Sequence, residues 1–80
     1  GRKVDPFLVQ VDPLPDDVKF SKNAHDGQEF DIVTEGRLEL TIGEKVLILE
    51  VGDSIYFDAR QPHCMRALDG KPVRFLCIAI

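Results

Sequence analysis

The chain has 80 residues, 44% hydrophobic and 30% charged, with a formal net charge of −4. That length makes one small globular domain, 1–80, which buries only about 60–65% of its unfolded surface, so a metal, a disulfide or a partner subunit is expected to add stability. The acidic balance argues against nucleic-acid binding through this domain, and no apolar run of about 18 residues is present to span a membrane.

The opening GRKVDPF lacks the apolar core of a signal peptide and reads as a cut inside a longer protein. The dominant hydrophobic period is two, with no amphipathic helix of useful length. PFLVQV (Pro6–Val11) predicts a first strand, and Asp12–Val18, with two prolines and three acids, a connecting loop. Gln28–Thr34 alternates loosely and closes on Glu35-Gly36. Arg37–Ile42 is a half-buried strand with Leu38, Leu40 and Ile42 on one face, and Gly43-Glu44 is its hairpin turn.

Lys45–Val51 is apolar at nearly every position, which predicts a strand covered on both faces. Gly52-Asp53 turns the chain into Ser54–Asp58, and Ala59–Pro62 leads into His63–Leu68. After Asp69–Pro72 comes the last strand, Val73–Ile80. Val73, Phe75, Cys77 and Ala79 form one of its faces; Leu76, Ile78 and Ile80 form the other. Two apolar faces predict one toward the core and one toward a second sheet or subunit, with a homodimer favoured. Short strands every 8–12 residues or so, divided by Gly and Pro, define an all-β sandwich or barrel. Cys64 and Cys77 are too few for a disulfide scaffold; reduced thiols and a cytoplasmic setting are expected rather than a Cys64–Cys77 bridge.

The chemistry concentrates in NAHDGQEFDIVTEG (Asn23–Gly36) and QPHCMRA (Gln61–Ala67), which hold both histidines. His25 is followed by Glu29 after three residues and by Gly36 six residues further on. In the second stretch, Gly52 precedes His63. These two spaced motifs, with the hairpin between them, resemble the signatures of the cupin superfamily. His25 stands at the second histidine of the first motif, Glu29 at its glutamate and Gly36 at its closing glycine. Gly52 and His63 stand at the glycine and histidine of the second, while Asp58, Arg60 and Ala67 replace its Pro, Gly and Asn. The resemblance implies a jelly-roll β-barrel, a double-stranded β-helix.

It also implies a site. If His25, Glu29 and His63 all point inward, two imidazoles and a carboxylate converge, a set suited to Fe(II), Mn(II), Ni(II), Zn(II) or Cu(II). The binding forms are neutral imidazole and ionised carboxylate, so affinity falls below about pH 6. The family's first histidine falls on Asn23, a weak neutral donor, which leaves three good ligands and one poor one. Each residue also has a plain reading: His25 in a polar surface turn, Glu29 at a solvated strand end, His63 closing a turn. Alternation puts Asp31 and Val33 on the face of Glu29, and Met65 and Ala67 on that of His63; Tyr56 lies near the second motif. Asp31, Tyr56 and Met65 are therefore candidate pocket residues. Arg60 or Arg66 either clamps an anion or lies on the rim.

Three functions fit. HDGQEFDIVTEGRLEL and GDSIYFDARQPHCMRALDGKPVRFLCIAI look most like the C-terminal cupin domain of helix-turn-helix transcriptional regulators, which implies a small-molecule effector and a homodimer. The alternative is a small metal-dependent enzyme, an isomerase or dioxygenase. The third is a dimerisation module with a degenerate pocket. Whether the chain is catalytic stays open at this point, because this fold hosts many functions.

Overall fold

The computed structural model describes residues 5–14, 24 and 26–80. Asn23, His25 and part of the acidic loop lie outside the described residues. Among the described residues, seven strands follow in chain order: β1 (Asp5–Val11), β2 (Gln28–Glu35), β3 (Leu38–Ile42), β4 (Lys45–Leu49), β5 (Ser54–Asp58), β6 (His63–Ala67) and β7 (Val73–Ala79). They form two antiparallel sheets, β1-β7-β2-β5 and β4-β3-β6. The fold is the all-β cupin fold, with the two sheets face to face rather than hydrogen-bonded into a closed ring among the described residues.

The period-two pattern explains the core. Val33, Phe57, Val73, Phe75 and Cys77 point inward from the four-stranded sheet, and Leu38, Leu40, Leu49 and Ala67 meet them from the other. Each buried aliphatic or aromatic side chain of this kind contributes about 1.5–3 kcal/mol.

The turns fix the register. Gly43 (φ +58°) opens the two-residue β3–β4 hairpin, where Ile42 faces Lys45. Gly36 (φ +81°) turns β2 toward β3, and a Cβ there would lie 2.6 Å from the Pro72 carbonyl oxygen. The glycine at the end of the first motif is therefore required by backbone contact. Gly52 N–H donates to the Val33 carbonyl (2.9 Å) and Val33 N–H to that of Asp53 (3.1 Å), stitching the β4–β5 turn to β2.

One expectation is corrected. The Lys45–Val51 segment is not covered on both faces. β4 ends at Leu49 and, among the described residues, is an edge strand paired only with β3. Leu49 is buried and Leu47 half-buried, but Val46 (59% exposed), Ile48 and Val51 face outward. An apolar run signals burial on two faces only when other layers cover both faces of its sheet, and the outer face of β4, with Val46 and Ile48, is exposed. Lys45 at its start is the kind of charge that blunts an edge.

Candidate metal and ligand site

β2 builds the site. Its inward residues are Glu29, Asp31 and Val33, all buried. Cross-strand pairing sets Glu29 between Phe57 of β5 and Ala79 of β7, and Asp31 between Ile55 and Cys77. The start of β2 is held from both sides: Gln28 exchanges backbone hydrogen bonds with Ile80 (3.2 and 2.9 Å), and Ala59 N–H donates to the Gly27 carbonyl (3.0 Å).

The opposite sheet contributes His63, buried at the start of β6. Its Nδ1 lies 2.9 Å from the Gln61 carbonyl oxygen. A carbonyl only accepts, so in the neutral ring Nδ1 carries the proton and the lone pair is on Nε2, the tautomer that binds a metal through Nε2. Phe57 packs edge-on against this ring, with centroids 5.1 Å apart. Phe57 thus touches His63 while facing Glu29 across the β2–β5 ladder.

The electrostatics are acidic. Asp31 is fully buried and neither of its oxygens has a hydrogen-bond partner. Burial first, then the neighbouring Glu29 carboxylate, raise its pKa to about 8, with the Cys77 thiol partly opposing them. Glu29 bonds to it only when one of the two carboxyls carries a proton. Burial, and then Asp31, likewise push the Cys77 thiol upward. Glu29, Asp31 and Cys77 place one ligand atom each within 4.8 Å of one another.

The predicted residues separate on this frame. Glu29, Asp31 and His63 are interior, and Met65 is half-buried against the core. Tyr56 is not at the site. It pairs with Phe30 on the outer face, is 56% exposed, and its hydroxyl bonds to Gln28 Oε1; alternation from Glu29 assigns Phe57 to the inside instead. Arg60 is an exposed residue whose guanidinium takes both oxygens of Asp58, the closest contact being Nη2–Oδ2 at 2.7 Å. Those bonds hold the Asp58 carboxyl at about 2. Arg60 and Asp58, with Asp26, Gly27, Gln28 and Ile80, line an open depression of about 410 Å³. Cys64 and Cys77 are both free thiols. Sequence reasoning missed the role of Phe57 and the juxtaposition of Cys77 with Asp31, since both depend on strand pairing.

The chain belongs to the cupin domain family, whose sequence model matches residues 9–79. Among solved structures it is similar to hydroxypropylphosphonic acid epoxidase from S. wedmorenis, at 28% identity and a TM-score of 0.81 over 96% of this chain. It is similar to Fe(II) HppE at 29% identity, 96% coverage and a TM-score of 0.81. The chain spans only 43% and 42% of those two chains. It is also similar to the cupin domain of an XRE family transcriptional regulator from Enterobacter cloacae, at 25% identity and a TM-score of 0.80, covering 96% of this chain and 80% of that one. No curated protein sequence matches the chain.

Proposed function

We propose that this cupin is the small-molecule-sensing domain of a transcriptional regulator, with a divalent metal held inside on His25, Glu29 and His63. The observation that carries the regulator reading is the near full-length correspondence with a regulator's cupin domain, 96% of this chain against 80% of that one. The metal reading is supported by two buried donors on facing sheets, Glu29 and His63, and by the fixed tautomer of His63. His25 joins them by its place in the first motif, with Asn23 a weak fourth donor. The donor chemistry fits a divalent ion: a buried carboxylate on one sheet and, on the other, an imidazole whose Nε2 carries the lone pair.

A bound Fe, Mn, Ni, Zn or Cu ion would supply a Lewis acid that draws an oxygen of the effector into the interior. The chain's own residues do the rest. The Gln61 carbonyl and the Phe57 edge orient His63, and Met65 and Val33 offer apolar wall. In this role the domain works in the cytoplasm as a homodimer and leaves DNA contact to another part of the protein. The dimer surface is the outer face of the four-stranded sheet, where Leu8 faces Leu76 and Phe30 faces Ile78.

The likeness to Fe(II) HppE favours a second reading, a small metal-dependent enzyme, of which an isomerase or dioxygenase is the kind the sequence suggested. The natural reading frame separates the two. A helix-turn-helix sequence within about 60–100 residues upstream of Gly1 supports the regulator; a start codon within a few residues of Gly1 overturns it in favour of the enzyme.

A further inference from the structure

Glu29 stands between two sets of groups. On the β5 side are Phe57 and, against it, His63. Toward β7, the next inward residue of β2, Asp31, faces Cys77 directly. Glu29, Asp31 and Cys77 are all buried, and their ligand atoms lie within 4.8 Å of one another. Asp31 has 0% exposure and no partner for either oxygen. An orphaned buried carboxylate costs several kcal/mol when ionised, and packing does not demand an acid at that position, since Val33 fills the next inward position with an apolar side chain. Two carboxyl groups and a thiol this close together form a donor set, and a cation among them would satisfy the Asp31 oxygens.

We propose that Glu29, Asp31 and Cys77 bind a divalent, thiophilic metal ion of the zinc type, with Cys77 as thiolate. The ion shares Glu29 with the His25–Glu29–His63 set of the proposed function but needs neither histidine. Tetrahedral coordination with bonds of about 2.0–2.3 Å sets donor atoms roughly 3.3–3.8 Å apart, so an inward movement of the side chains closes the set. A free cysteine thiol is protonated at neutral pH. Binding therefore forms the metal–sulfur bond and releases the thiol proton to solvent. The thiolate favours Zn(II), Co(II) or Cd(II) over Mg(II) and Ca(II), which take oxygen donors.

The test is Co(II) titration of the chelator-treated domain, followed by absorption spectroscopy. The expected result is a near-ultraviolet thiolate-to-Co(II) charge-transfer band saturating at one ion per chain. The band disappears in Cys77→Ser, persists in Cys64→Ser and His63→Ala, and needs at least about tenfold more Co(II) in Asp31→Asn. Far-ultraviolet circular dichroism checks that each variant folds, and Asp31→Asn keeps the test open should Cys77→Ser fail to fold. Co(II) bound without a charge-transfer band overturns this site while leaving the histidine set standing. A band that survives in Cys77→Ser, or vanishes in His63→Ala, overturns it as well. A band independent of His63 upholds it even if the histidine set binds nothing.

Discussion

Phe57 and His63 meet edge to face, their ring planes at 72°. Phe57 is also the cross-strand partner of Glu29. One aromatic ring therefore links the acid of the first motif, on one sheet, with the histidine of the second, on the other. The Phe57→Leu substitution keeps an apolar group of similar reach and loses the edge contact. It is expected to cost about 1–2 kcal/mol in urea unfolding and to weaken divalent-metal binding about tenfold, because His63 loses part of its support. Unchanged metal affinity would show that the Gln61 carbonyl orients His63 unaided.

The metal-free domain should lose stability as pH rises. The carboxyl of Asp31 titrates near 8 when folded, against 3.8 when exposed. Between those values the folded state holds a proton that the unfolded state has released. Its contribution is fully present below about pH 4 and is lost progressively as pH climbs to about 8. Asp31→Asn, which cannot ionise, should flatten that part of the profile in urea unfolding measured with chelator present. An identical slope in the variant would place the pH dependence elsewhere.

Gly36→Ala should be severely destabilising. The added Cβ would lie 2.6 Å from the Pro72 carbonyl oxygen, on backbone at φ +81°. A loss of about 2 kcal/mol or more is expected from the conformation and the clash together. In thermal unfolding this should appear as a drop of at least about 8 °C. Gly43→Ala meets no atom within 4 Å and should cost less.

The outer face of the four-stranded sheet should hold the dimer together. Leu8 is 72% exposed in one chain, beside half-buried Leu76 and Ile78. Leu8→Glu removes no core contact, so the monomer should stay folded while the dimer weakens. Sedimentation should give twice the 9.0 kDa chain mass for the parent and the single mass for the variant. A parent that sediments as a monomer would refute the dimer.

The strands were legible in the sequence because they alternate and because glycine marks their turns; Ser54–Asp58 has the same limits in both readings. The inward pairing of Glu29 with Asp31, and of His63 with Met65, followed from period two alone. Tyr56 was misplaced because proximity along the chain says nothing about face, whereas its neighbour Phe57 has the right parity. The exposure of β4 and the meeting of Asp31 with Cys77 were hidden for a different reason. The first follows from which faces other layers cover, the second from which strands become neighbours, and β2 and β7 pair across about half the chain.

The most direct test of the central claim is the metal content of the Cys77→Ser domain, which lacks the thiolate site, purified without chelators and repeated with Glu29→Gln, His25→Ala or His63→Ala added. The account predicts near-stoichiometric Fe, Mn, Ni, Zn or Cu in the parent and a marked loss in each variant. A parent with little metal and no melting shift on adding divalent ions would contradict it, as would full metal content retained in His63→Ala and His25→Ala.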